Sequence, residues 1–340
     1  MPRTACRRRN CTAPTESAPR GCEQHGGMAD LDEQHPLFLL AMDQRSSLLE
    51  HTYGDESGEP ADEADAQRVR AGKQLVYRGV LTALAAGASR ARTGVLVDER
   101  YGADVARLVR EAGLQLAMPI ERSGRDWFEL EYGDDWIAHV DSFDPDFVKV
   151  LVRDNPAFDA DDRTAQAERL AEVSRTLHDA DREFLVELLV PGTDEQQAQA
   201  DDYDRDVRPG LVVESIGFLQ EHGVEPDVWK LEGLDRAEDA ERVVAAARAG
   251  GRDGLQCIVL GRDAPEEQLD HWLRTAAPVD GFVGFAIGRS NWEDALDDVV
   301  QQGLDREAAE QLIAANYRHF VDTWLEARPD VVDGVDAGAA

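Results

Sequence analysis

FVKVLVR (147–153), EFLVELLV (183–190) and VWKLEG (228–233) decide the fold. Each run is short, dominated by branched aliphatic residues and bounded by polar residues or glycine. That is the composition of a strand buried on both faces. Five further runs share this character: LFLLAMD (37–43), TGVLVDE (93–99), LQLAMPIE (114–121), CIVLG (257–261) and GFVGFAIG (281–288). Amphipathic stretches such as DRAEDAERVVAAARAGG (235–251) and APEEQLDHWLRTAA (264–277) follow them. Strand alternating with helix implies parallel pairing. Eight such units over about 290 residues imply closure into a (β/α)8 TIM barrel, a single α/β domain. The competing arrangement is an open doubly wound sheet, which usually places a glycine-rich phosphate loop after its first strand. LLAMDQRSS (39–47) is not such a loop.

The barrel is expected over residues 28–328. Residues 1–27 are basic, polar and aperiodic in an otherwise acidic chain, and read as a disordered extension or a start assigned too early, with Met28 as the alternative start. Residues 329–340 read as a flexible tail, and GEPADEAD (58–65) as a loop leading into the first helix. No apolar run reaches the length of a membrane span, and no secretory signal is visible. The cysteines Cys6, Cys11, Cys22 and Cys257 have neither zinc nor redox spacing. The formal net charge is −33, with 69 acidic and 36 basic residues, and the acids are scattered rather than gathered in a tail. Such a surface repels phosphate backbones and anionic lipid, so nucleic acid and membrane are excluded as partners. It fits a halophilic, cytoplasmic protein, where salt screens self-repulsion to a few ångströms.

Lysine is the informative scarcity. Only Lys73, Lys149 and Lys230 occur, and two of them sit inside apolar strands, where burial is costly without a purpose. In a barrel, functional groups stand at the C-terminal strand ends. Residues two apart share a face, so an inward Lys149 brings Arg153 with it, and an inward Lys230 brings Glu232. Strands 4, 5 and 6 are neighbours, so Lys149, Glu187 and Lys230 are expected to converge in one low-dielectric cup. A lysine attacks a ketone only when neutral. Burial and a nearby cation favour that state, so Lys149 is expected to help activate Lys230, with Glu187 moving protons. A buried structural ion pair, Lys149–Glu187 or Lys230–Glu232, is the alternative. Gly261-Arg262 and Gly288-Arg289, after strands 7 and 8, are expected to bind phosphate through backbone N–H groups and guanidinium. A metal site from Asp43, Asp98, Glu99 and Glu121 is the weaker reading, because no strand histidine accompanies them. The eight histidines and six tryptophans read as surface or packing residues.

At AMDQRSSL, GVLVDERYG, FVKVLVRDNP, FLVELLVP, DVWKLEGL, VLGRDA and GFVGFAIGRSNW the chain resembles the class I tagatose-bisphosphate aldolases. It resembles still more closely the barrel domain fused behind the sugar kinase of bacterial inositol catabolism, associated with cleavage of 2-deoxy-5-keto-gluconate 6-phosphate. These stretches sample the span from about 36 to 325. The resemblance implies a lyase without cofactor or metal, with Lys230 as the Schiff-base lysine, Glu187 as acid/base, and Lys149 and Asp43 as active-site polar groups. It implies that Gln44, Arg45, Gly261, Arg262, Gly288 and Arg289 contact substrate or phosphate. The expected products are dihydroxyacetone phosphate and malonate semialdehyde. Two features depart from the pattern: no kinase precedes the barrel, and strand 7 ends Leu-Gly-Arg where small residues are expected. The alternatives are a tagatose- or fructose-bisphosphate-type aldolase, a barrel isomerase or decarboxylase using Lys230 as proton donor, and a non-catalytic sugar-phosphate-binding protein. The expected partner is a small sugar phosphate, and self-association into a homo-oligomer stays open.

Overall fold

The computed structural model describes residues 31–32, 34–45, 48 and 63–331. The expected extension 1–27 with its three cysteines, most of the 58–65 loop and residues 332–340 of the expected tail lie outside the described residues.

All eight expected strands form: β1 Leu37–Met42, β2 Thr93–Val97, β3 Gln115–Pro119, β4 Phe147–Arg153, β5 Glu183–Leu189, β6 Val228–Glu232, β7 Gln256–Leu260 and β8 Phe282–Ile287. They pair in parallel, each with the next, and β8 returns to β1 to close the barrel. Alternation along each strand sorts the core into two parts. Val148, Val150 and Val152 of β4 face outward and join Val186, Leu188, Trp229 and Leu231 in the layer against the helices. Leu37, Leu39, Leu96, Phe147, Leu185, Val228 and Ile258 fill the barrel interior as a separate cluster. This interior plug is apolar at the N-terminal end. The inward residues that follow this plug toward the C-terminal end include Lys149, Glu187 and Lys230.

The seam between β8 and β1 depends on Gly284. Its φ is +143°, and a Cβ there would lie 1.9 Å from the carbonyl oxygen of Leu37. Only glycine allows that backbone conformation and that approach. The first long helix, Glu63–Ala85, packs against the last, Arg306–Ala327, with Gly79 admitting the side chain of Ile313. From the last helix the buried Tyr317 hydroxyl donates to the Phe38 carbonyl of β1 at 2.9 Å. The expected helices at Ala237–Ala247 and Glu266–Ala276 are present. The link from β5 to β6 holds three helical pieces, Asp194–Gln199, Tyr203–Asp206 and Arg208–Glu221. The link from β3 to β4 opens with an antiparallel bridge between Glu121 and Leu130. No described helix is long and apolar enough to cross a membrane.

Candidate active site

The register of three adjacent strands assembles the centre of the site. Glu187 of β5 pairs in register with Lys230 of β6, and Leu151 of β4 lies opposite Glu187. Lys149 thus stands one inward position below Glu187. The Glu187 carboxylate bridges both amines, with Oε1 2.8 Å from Lys230 Nζ and Oε2 3.0 Å from Lys149 Nζ. Lys149 also reaches Asp43 Oδ2 at 2.9 Å, in the loop after β1, and Glu121 Oε1 at 2.8 Å, in the loop after β3. The lysines are 1% and 4% exposed, so this network works at low dielectric.

Charge balance sets the protonation states. Burial disfavours the Lys149 ammonium, but Asp43, Glu121 and Glu187 outweigh burial and hold it well above the ordinary lysine range. Burial likewise opposes ionisation of Glu187 and Asp43, yet Lys149 and Lys230 keep both below the ordinary carboxylate range. Glu187 is therefore an anion able to take a proton. The cation expected beside Lys230 is not bare: three carboxylates neutralise it locally, and Lys230 faces Glu187 directly. The expected pair Lys230–Glu232 does not form. Glu232 instead accepts the Val190 N–H at 2.8 Å and faces Arg262 Nε at 3.1 Å.

A cavity of about 580 Å³ opens above this centre, within the range of small-molecule sites. All ten expected site residues line it: Asp43, Gln44, Arg45, Lys149, Glu187, Lys230, Gly261, Arg262, Gly288 and Arg289. Their engagements differ. Gln44 Nε2 lies against Gly288, where a Cβ would come within 2.8 Å of it. Arg45 Nη2 donates to the Glu121 carbonyl at 2.8 Å, which ties the β1 loop to the β3 loop. Arg262, at φ +49°, is held by Asp204 at 2.6 Å as well as by Glu232. Arg289 opens the helix Arg289–Asp297 behind Gly288 and pairs with Asp263. In this structure both arginines of the expected phosphate site thus have carboxylate partners.

Sequence reasoning placed Glu121 only in a metal site, yet it is the third carboxylate around Lys149. It also missed Arg122 and Arg125 and read Trp127 as a surface or packing residue, yet all three line the cavity. Arg153, expected to turn inward with Lys149 and Leu151, does line the cavity, whereas the loop residues carry no period. The other carboxylates of the metal reading are committed elsewhere. Asp98 accepts from the buried Lys73 and from the Tyr101 N–H at 2.9 Å, and Glu99 bonds His139 at 2.8 Å. Among the described residues no group of three or more His, Cys, Asp or Glu could hold a metal ion. The cavity lining counts eight cationic against five acidic side chains, the reverse of the whole chain.

Fold and site define a closed parallel barrel with a lysine-centred, cation-lined cavity at the C-terminal strand ends. The chain belongs to the family described as "Uncharacterized protein conserved in bacteria (DUF2090)", matched over residues 25–328. No curated protein matches it by sequence. Among solved structures it is similar to Cgl0159 from Corynebacterium glutamicum (Brevibacterium flavum), with a TM-score of 0.53 and 17% identity over 86% of this chain and 88% of that one. It is also similar to an archaeal fructose 1,6-bisphosphate aldolase, with a TM-score of 0.50 and 14% identity over 84% and 96%. At such identities the likeness is one of fold.

Proposed function

We propose that this protein is a class I aldolase that cleaves a phosphorylated ketose or keto-sugar acid, and that 2-deoxy-5-keto-gluconate 6-phosphate is its substrate. The observation that carries the reading is the Lys149–Glu187–Lys230 bridge, buried at the floor of a cation-lined cavity. A structural ion pair would need one lysine, whereas two amines sharing one carboxylate place a nucleophile, a base and an electrostatic partner around a single point.

In this reading the neutral Lys230 amine attacks the substrate carbonyl, and Glu187 assists loss of water to give the iminium. The carbon–carbon bond then breaks. Its electron pair flows into the iminium to form an enamine, and the proton of the hydroxyl on the departing carbon passes to Glu187. Protonation of the enamine and hydrolysis return the lysine. Lys149 stays charged and holds Asp43, Glu121 and Glu187 in place. The glycines and arginines at the mouths of β7 and β8 receive the phosphate, which must displace Arg262 or Arg289 from its carboxylate partner. Malonate semialdehyde and dihydroxyacetone phosphate are the products of this reaction.

The test is covalent trapping. Borohydride added with dihydroxyacetone phosphate or the full substrate should add mass to the peptide containing Lys230. Lys230→Arg and Lys230→Met should show no adduct and lose at least about three orders of magnitude in turnover, because no primary amine remains there. A turnover that survives in Lys230→Met, or an adduct on Lys149 instead, would refute the assignment.

A further inference from the structure

Glu121 has a polar atom with nothing to bond. Its Oε2 is buried and without a partner, although the residue lines the cavity and is only 7% exposed. Both nearby cations lie on its other oxygen: Lys149 Nζ at 2.8 Å from Oε1, and Arg45 Nη2 at 3.7 Å from the same atom. The main chain around Glu121 is fixed on both sides. Ile120 N–H donates to the Lys149 carbonyl at 3.0 Å, Glu131 N–H to Ile120 at 2.9 Å and Arg122 N–H to Glu129 at 2.8 Å. This clamp fixes the main chain on either side of Glu121, and the Lys149 contact to Oε1 positions the carboxylate itself. Gln44 Oε1, on the same cavity wall, is a second buried acceptor without a partner.

A buried carboxylate oxygen without a donor is costly unless a ligand supplies one. The donor is not a cation, because the cavity lining already carries more cationic than acidic side chains. Hydroxyl groups fit: they donate without adding charge, and a charge-assisted O–H···O⁻ bond is short and strong. We propose that Glu121 is a specificity-determining residue that accepts a hydrogen bond from one hydroxyl of a polyhydroxylated substrate. The proposal rests on reading the cavity as a sugar-phosphate site. Lys149 and Glu187 lie between Glu121 and Lys230, so this hydroxyl belongs to a carbon beyond the one that Lys230 attacks. Removing that hydroxyl strands the oxygen again, which is the situation in which a site rejects an analogue most strongly.

Binding of hexitol 6-phosphates tests this without catalysis, because they carry no carbonyl from which to form an imine. Glucitol 6-phosphate and its analogues, with each hydroxyl in turn replaced by hydrogen or fluorine, are titrated calorimetrically. For one position, both replacements should weaken binding to the wild type at least about tenfold. In Glu121→Gln the amide oxygen must face the Lys149 ammonium, so an NH2 group takes the place of Oε2. The fluorinated analogue at that position should then bind within about threefold of the parent. Glu121→Asp, which keeps the charge but withdraws the oxygen by one methylene, should lose the same discrimination. Identical profiles in wild type and variants would overturn the proposal, as would failure of every hexitol phosphate to bind the wild type. If the profiles shift as expected while borohydride traps nothing, the imine reading falls and the role of Glu121 stands.

Discussion

Lys149 neutralises more carboxylate than any other side chain in the molecule's centre, and its loss should show in stability as well as in rate. Lys149→Met leaves Asp43, Glu121 and Glu187 facing one another with their shared cation gone. Breaking a buried pair by removing one partner costs about 3–5 kcal/mol. The pH dependence follows from the carboxylates. Asp43 and Glu187 are held below their ordinary values, so the stability they contribute is present at neutral pH and is lost as pH falls through their folded values. The variant lacks that contribution, so the gap between the two proteins should be widest near pH 7 and should narrow progressively as pH falls below about 4.5. Urea melts across that range check it, and a gap constant in pH would contradict it. At this scale the sequence was readable where strands impose a period. Lys149, Glu187 and Lys230 follow from inward alternation and from the scarcity of lysine. Glu121 did not, because it lies past the end of β3, where alternation no longer says which way a side chain points. The partners of Arg262 were equally hidden, since Asp204 comes from a helix 58 residues away.

β5 carries two glutamates with opposite environments. Glu187, at its C-terminal end, sits between cations. Glu183, at its first residue, is pushed up to about 7, chiefly by burial and then by the neighbouring Asp227. A carboxyl whose folded value is raised contributes stability that is full below its unfolded value, about pH 4.5, and is lost as pH rises through about 7. Thermal midpoints should therefore decline between about pH 4.5 and pH 7 through this group and level off above that. Glu183→Gln should flatten that decline without touching the cavity, which lies at the other end of the strand; a decline as steep as in the wild type would dismiss the pair as its source. The elements themselves were largely legible. Eight apolar runs became eight strands, because a parallel strand buried on both faces has no polar side to blur its signal. The helical link from β5 to β6 was less so. Its three pieces are separated at Ala200 and Val207 by capping and turn geometry, not by any change in hydrophobic period. The bridge between Glu121 and Leu130 is a single pairing in a polar loop and leaves no period at all.

Over the whole molecule, the −33 charge lies outside a cavity lined by an excess of cations. Self-repulsion grows as screening weakens, so the thermal midpoint should fall as KCl is lowered from about 2 M to about 0.1 M. A flat or rising midpoint would count against adaptation to high salt. The same composition leaves three lysines, and each is buried: Lys73 and Lys149 are 1% exposed and Lys230 is 4% exposed. Lys73 is held by the carbonyl oxygens of Met42 and Gln44 and by Asp98, and so serves the barrel rather than the surface. The consequence reaches beyond folding. Reducing sugars and free aldehydes damage proteins by condensing with exposed lysine side chains, and crosslinkers such as glutaraldehyde act in the same way. This protein presents no lysine to them outside its own cavity. A catalyst proposed to release an aldehyde at every turnover would thus be spared glycation by its own product.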